Sequence, residues 1–136
     1  EQRQNFRGLL VDLLGEGLFG AVLQQAGVDR FADAVATAIA AGEADRGLVI
    51  CGSGVGASIT ANKVKGIRAC LCHDTYSARQ GVEHDNMNVV CIGGQIIGIE
   101  LAKVVLEAFL GANFIPEPRF QRRLDKLMKV EETGLP

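Results

Sequence analysis

The chain has 136 residues, of which 48% are apolar and 22% are charged, a balance that suits one globular domain with its own hydrophobic core. A formal net charge of −2 gives no support for a nucleic-acid partner, and no apolar stretch is long enough to suggest a membrane partner. The charged start of the sequence does not resemble a signal peptide. We therefore expect a single domain over residues 1–136 and a cytoplasmic location.

Helical and strand patterns alternate along most of the chain. Residues 1–28 fit neither pattern clearly and are expected to form an atypical N-terminal segment. Residues 29–41 predict a helix, with apolar side chains four apart, Asp29 as N-cap and Gly42 as the stop. Further strands are predicted at 47–51, 67–72 and 88–92, and further helices at 57–63, 73–80, after Gly98 and at 119–130. Residues 131–136 are expected to be a flexible tail.

Short apolar strands separated by helices predict an α/β fold of the Rossmann-like kind, in which an open parallel sheet lies between two layers of helices. Functional residues of such sheets gather at the carboxyl ends of the strands. Cys51, His73 and the Gly93-Gly94 turn all fall at such ends. This edge of the sheet is the expected place for a site.

The loop after the first predicted strand, residues 51–56, combines a cysteine with three alternate glycines. Glycines keep side chains away, so that several backbone N–H groups can converge on an anion or a developing oxyanion. A thiolate beside the start of a helix is also stabilised by the helix dipole. The plain alternative is an ordinary glycine-rich turn with an inert cysteine. The spacing matches neither the dinucleotide fingerprint nor the P-loop.

Four cysteines, at positions 51, 70, 72 and 91, could suggest disulfides or a metal site. They contain no C-x-x-C pair. We expect four free thiols in a reducing compartment and no metal, with three cysteines packed in the core and Cys51 at a strand end.

From about residue 29 to residue 130, the chain resembles the family of ribose-5-phosphate isomerase B and the galactose-6-phosphate isomerase subunits. The matching motifs lie in order at residues 42–47, 51–56, 61–69, 72–79, 83–89 and 119–123. The resemblance implies interconversion of an aldose phosphate and a ketose phosphate through an enediol, with no metal or cofactor. Ribose 5-phosphate is the expected substrate. A site built between two subunits is also implied, hence a homodimer or homotetramer.

The resemblance also assigns roles to residues. Cys51 matches the base that moves the proton, and His84 matches the histidine that helps to open the sugar ring. The backbone cradle for the enediolate is matched by Gly52, Ser53, Gly54, Val55 and Gly56, with Ser53 where the family commonly has threonine. Asp85 and Asn86 follow the histidine as substrate-binding positions. Arg119 and Arg123, at i and i+4 of a predicted helix, match the pair that holds the phosphate.

The chain departs from the family pattern at three places. Residues 1–28 lack the Asp-His-Ala-Gly motif with which the family opens, Gln95 stands where the family often has a phosphate-binding arginine, and Asp85 stands where many relatives have asparagine. An alternative function is therefore a non-catalytic or altered-substrate homologue that serves as a binding or assembly subunit. A third possible function, that of a nucleotide-binding module, is supported by the glycine loop alone. Without the resemblance, His84 and the arginines would be ordinary surface residues.

Overall fold

The computed structural model describes residues 28–135, with side chains from Ala32 onward; most of the predicted N-terminal segment lies outside the described residues. Three strands alternate with five helices over this range. The strands are β1 (Gly47–Cys51), β2 (Ala69–Leu71) and β3 (Val89–Gly93). The helices are α1 (Val28–Ala40), α2 (Val55–Ala61), α3 (Thr75–Asp85), α4 (Ile99–Gly111) and α5 (Pro118–Thr133).

The three strands form a parallel sheet in the order β1-β3-β2. Gly47 is level with Val89, and Cys51 is level with Gly93, so the carboxyl ends of β1 and β3 are flush. Ala69 is also level with Val89, but β2 ends two residues earlier than β3. The predicted parallel α/β architecture is confirmed.

Side chains alternate between the two faces of the sheet, as the two-residue period of a strand requires. Val90 and Ile92 of β3 point to the face covered by α3 and α4, where they share a core with the fully buried Phe109. Val89 and Cys91 point to the other face, covered by α1 and α2. Helices therefore cover both faces of the sheet, which makes the three layers expected from the sequence.

Several element boundaries differ from the sequence prediction. β2 covers only Ala69–Leu71 of the predicted 67–72, and α2 begins at Val55, two residues before the predicted start. α1 begins at Val28, one residue before the predicted cap at Asp29. α3 continues to Asp85 instead of ending near Gln80. This last difference matters most, because it places His84 and Asp85 on a helix.

α5 extends to Thr133, so the tail expected from residue 131 begins no earlier than Gly134. A tertiary contact accompanies this last helical turn. Glu131 Oε1 accepts a hydrogen bond from the Gly66 N–H at 2.8 Å, at the turn that leads into β2. At the other end of the helix, Phe120 is buried. α5 is therefore anchored at both ends.

Arg46 fixes the start of β1 against the end of α4. Its guanidinium donates to the carbonyls of Phe109, Leu110 and Ala112, and it also lies over the Phe109 ring. Carbonyls in the last turn of a helix have no partner within the helix, so the arginine satisfies them from outside. No helix among residues 28–135 has the length and apolar character needed to cross a membrane.

Candidate functional site

Cys51 ends β1 and faces back into the loop that follows it. The Gly54 N–H donates a hydrogen bond to Cys51 Sγ at 3.0 Å. Gly54 has a left-handed backbone, with φ of 81°, and it is the N-cap residue of α2. This conformation turns its N–H toward the sulfur. The loop therefore places a backbone hydrogen-bond donor beside the Cys51 sulfur.

The loop also lies close to the end of β3, and glycines make that approach possible. A Cβ on Gly54 would overlap the Leu71 side chain and would lie 3.0 Å from the Ile92 carbonyl carbon. A Cβ on Gly93 would lie 2.6 Å from the Ser53 carbonyl oxygen. A larger residue at Gly93 would require a shift of backbone, and one at Gly54 would displace the Leu71 side chain and crowd the backbone of β3. Gly54 is therefore required by packing and by conformation, and Gly93 is required by packing.

The turn after β3 holds the Cys51 loop from its other side. The Gly94 N–H donates to the Cys51 carbonyl at 2.8 Å, and the Gln95 N–H donates to the Gly52 carbonyl at 3.0 Å. The Gln95 side-chain amide lies next to Gly52, 3.7–3.9 Å from the place that a Cβ would occupy. Gln95 therefore belongs to the same edge of the sheet as the cysteine.

His73 has a structural contact at this edge. Its Nε2 accepts a hydrogen bond from the Gly93 N–H at 2.9 Å, which joins the chain after β2 to the end of β3. A bridging role for His73 therefore has direct geometric support.

A second group of predicted residues meets where α3 ends beside α5. His84 stacks on Phe120, with ring centroids 3.9 Å apart and an angle of 15° between the ring planes. His84 Nδ1 lies 3.0 Å from the amide nitrogen of Gln80, one turn earlier on α3. Asn86 caps the end of α3 with a left-handed backbone, φ 51°. The extension of α3 beyond Gln80 is what brings these groups together.

The two predicted phosphate arginines lie in the same group and are paired with carboxylates. Arg123 Nη2 is 3.2 Å from Asp85 Oδ1, which links α5 to the end of α3. Arg119 Nε is 2.9 Å from Glu117 Oε2, and its guanidinium lies over the Phe120 ring at 4.4 Å. Each side chain in these two ion pairs is more than a third exposed, so the pairs are weak and an anionic ligand can compete for the arginines.

The predicted site residues thus form two groups on opposite edges of the sheet. The first contains Cys51, Ser53 and the glycine loop, level with Gly93 at the carboxyl edge. The second contains His84, which precedes Val89 at the amino edge. Four residue steps along β3 separate these edges, or about 13 Å at the rise of a parallel strand. Within one chain, Cys51 and His84 therefore lie at opposite edges of the sheet.

The remaining cysteines differ from the expectation in one respect. Cys72 and Cys91 are buried as predicted, but Cys70 is exposed because it lies on the edge strand of the described sheet. A hydrogen bond from Cys72 lowers the pKa of Cys70 to about 7, while the same contact and burial raise that of Cys72. Burial raises the pKa of Cys91 to about 12.

The sequence reasoning missed two residues of the second group, Gln80 and Phe120. The signal that could have found Gln80 is its i,i+4 spacing from His84, once both are placed on one helix. Phe120 lies between two predicted phosphate arginines, and an aromatic residue amid exposed charges is a sign of a buried contact. For residues 32–135, no group of three or more His, Cys, Asp or Glu side chains is arranged to hold a metal ion.

A sequence model of the family described as Ribose/Galactose Isomerase matches residues 19–127. The chain belongs to this family. It is 38% identical over 122 residues to ribose-5-phosphate isomerase B of Escherichia coli, an alignment that covers 90% of this chain and 80% of that protein. It is 43% identical over 98 residues to D-erythrulose-4-phosphate isomerase 2 of Mycolicibacterium smegmatis, with 72% of this chain and 64% of that protein covered.

The family fold is confirmed in three dimensions. The structure of type B ribose 5-phosphate isomerase from Trypanosoma cruzi superposes with a TM-score of 0.82 at 34% identity, and it covers 93% of this chain and 89% of that one. The named relatives are sugar-phosphate isomerases. The resemblance stated from the motifs is therefore correct, and the Cys51 loop lies in the part of the chain that the family model matches.

The loop geometry predicts that Gly54→Ala destabilises the chain and damages the site. An alanine at φ of +81° is strained and would overlap Leu71, at a cost of roughly 1–3 kcal/mol in the free energy of unfolding. Urea unfolding at fixed protein concentration measures this cost. Gly111→Ala is the matched control, because nothing lies within 4 Å of its Cβ position in α4 and alanine favours a helix. Equal stabilities of the two variants would contradict the proposed constraint on the loop.

Proposed function

We propose that this chain is an aldose–ketose isomerase that acts on a sugar phosphate, with ribose 5-phosphate as the expected substrate and Cys51 as the base. The observation that carries this proposal is the hydrogen bond from the Gly54 N–H to Cys51 Sγ, within a glycine loop at the carboxyl edge of a parallel sheet. Isomerase names of relatives that align over most of the chain support the same reaction class.

In the proposed reaction, the Cys51 thiolate removes the proton from C2 of the open-chain aldose. The electrons form the C1–C2 double bond, and the carbonyl oxygen becomes the enediolate oxygen. The hydroxyl proton on O2 then moves to O1, which leaves the negative charge on O2. The thiol returns its proton to C1 as the C2 carbonyl forms, and the product is the ketose. One sulfur can serve both carbons, because they are adjacent and the proton moves by little more than one bond length.

The enediolate needs hydrogen-bond donors that are in place before its charge develops. The N–H groups of Gly54 and Val55 already donate within the loop, to Cys51 Sγ and to Ser53 Oγ. The amides of Gly52, Ser53 and Gly56 have no acceptor within the described residues, and these are the donors we assign to the substrate oxygens. The Ser53 side chain accepts from Val55, so its hydroxyl proton can also be donated to the substrate.

Arg119 and Arg123 are assigned to the phosphate. Both are on the exposed face of α5 near its start, and both are paired with single carboxylates that a dianionic phosphate would replace. A phosphate gives each guanidinium a stronger charge-assisted contact than one exposed carboxylate does. Gln95, at the other edge of the sheet, can donate a hydrogen bond but carries no charge.

The opposite placement of Cys51 and His84 implies that a complete site needs a second copy of this chain. We propose a homodimer, alone or within a homotetramer, in which the Cys51 loop of one protomer faces the His84 group of its partner. Exposed apolar side chains near the Cys51 loop, Val55, Ile59 and Ile96, offer a surface for this contact. Four free cysteines support the reducing cytoplasm as the compartment.

Cys51→Ala is predicted to remove isomerisation while the fold remains. Loss of a general base costs at least about 100-fold in kcat. The measurement is conversion of ribose 5-phosphate to ribulose 5-phosphate, with circular dichroism as the check on folding. Cys70→Ala is the matched control, because Cys70 is an exposed thiol in the middle of β2, which lies on the far side of β3 from β1. Near-parental turnover in Cys51→Ala would exclude the thiolate mechanism, and a parent without activity would favour the non-catalytic alternative.

Mixing two inactive variants is predicted to restore activity, if the site is shared between protomers. Cys51→Ala and His84→Asn each disable every site in their own homodimers. Random exchange between them produces mixed dimers with one intact and one doubly altered site, so a 1:1 mixture recovers about a quarter of parental activity. The assay is the same conversion of ribose 5-phosphate after subunit exchange. No recovery, with exchange confirmed by mass spectrometry of mixed dimers, would place both residues in one protomer's site.

Asp85→Asn is predicted to improve the binding of phosphorylated substrate. The change removes the carboxylate that pairs with Arg123, and an exposed pair of this kind contributes less than about 1 kcal/mol. The Michaelis constant should therefore fall by about two- to five-fold, with little change in kcat. Asp125→Asn, which removes a carboxylate that contacts Gln121 on the same helix, is the control and should leave the Michaelis constant unchanged. Equal Michaelis constants for the parent, Asp85→Asn and Asp125→Asn would show that Arg123 does not bind the phosphate.

A further inference from the structure

The side chain of His84 is held on two sides by residues that fix both its plane and its proton. Phe120, itself buried, stacks on the imidazole and sets the ring plane. The Gln80 amide nitrogen lies 3.0 Å from Nδ1. An amide nitrogen can only donate, so Nδ1 must be the acceptor. A neutral imidazole carries one proton, which is then on Nε2.

We infer that Gln80 and Phe120 are positioning residues that hold His84 as its Nε2–H tautomer, so that its outward edge is a hydrogen-bond donor rather than a base. The inference rests on the proposed function, and it concerns the step in which the sugar ring opens. Gln80 contributes because its side chain lies one helical turn before His84 on α3, where i and i+4 side chains meet.

A donor edge suits the opening of a sugar ring. In ring opening, the bond between C1 and the ring oxygen breaks, and its electron pair stays on that oxygen. The anomeric hydroxyl loses its proton to water as the C1 carbonyl forms, and the ring oxygen takes a proton from water. No proton is consumed overall. A hydrogen bond from His84 Nε2–H stabilises the negative charge on the ring oxygen before that oxygen is protonated.

His73 provides a contrast within the same chain. It accepts at Nε2 from the Gly93 N–H, so its own proton is on Nδ1 when the imidazole is neutral. The chain has only two histidines, and they are expected to be opposite tautomers. Nitrogen-15 NMR distinguishes the two forms by the chemical shifts of the ring nitrogens, and one histidine variant is enough to assign both.

The test is nitrogen-15 NMR of histidine-labelled chain, at about two pH units above the ordinary histidine pKa. The parent should show His84 as Nε2–H and His73 as Nδ1–H. Gln80→Glu should reverse the His84 tautomer, because a carboxylate accepts a hydrogen bond from Nδ1–H, and it should leave His73 unchanged. Gln80→Leu, which keeps the helix and removes the amide, should give a mixture of forms. An Nδ1–H signal for His84 in the parent, or no change in Gln80→Glu, would overturn the inference.

Kinetics separate this role from a merely structural one. Gln80→Leu should lower kcat with ribose 5-phosphate by about ten-fold. It should leave kcat with erythrose 4-phosphate within about two-fold, because that sugar has no free hydroxyl able to close a five-membered ring. Equal losses with both substrates would overturn the ring-opening role. A parent without isomerase activity would instead reject the proposed function, and this outcome is distinguishable because the NMR signal needs no substrate.

Discussion

The direction of α3 relative to the strands is the constraint on which the arrangement of this molecule depends. The helix begins just after β2, at the carboxyl edge of the sheet, and it ends just before β3, at the amino edge. Its 11 residues cover about 16 Å at the rise of an α-helix. Every residue at its end is therefore carried away from the Cys51 loop. Parallel strands cannot be connected otherwise, because each connection must return to the starting edge.

This constraint gives the two edges different kinds of rigidity. At the carboxyl edge, backbone hydrogen bonds from Gly94 and Gln95 and the close approach of Gly93 hold the Cys51 loop from behind. At the amino edge, the contacts are between side chains. An aromatic stack and an exposed ion pair join α3 to α5, and an amide contact within α3 holds the stacked histidine. A backbone cradle suits a charge that develops at one fixed point. Side chains suit a group that must adapt to a ligand.

The sequence predicted the sheet and the Cys51 loop well, because their signals are local. Short apolar runs that end at a glycine mark β1 and β3, and alternate glycines after β1 mark the turn that leads into α2. The end of α3 was predicted less well. The helix was predicted to end near Gln80, but it continues through Gly81, where a Cβ would meet Met87 at 3.2–3.6 Å. Glycine at this position makes room for a tertiary contact, which no local pattern reveals.

The two histidines show most directly why the candidate site could be predicted only in part. Both stand beside acidic residues, so the local pattern gives no basis for separating them, and only the family resemblance singles out His84. Their contacts in the fold separate them further. The backbone N–H of Gly93, the last residue of β3, faces Nε2 of His73, while a side-chain amide on the same helix faces Nδ1 of His84. The first contact occupies Nε2 of His73, which therefore cannot bind a ligand. The second contact occupies Nδ1 of His84 and leaves its Nε2 able to bind one. The chemistry available to each imidazole is therefore decided by tertiary contacts that form only when the chain has folded.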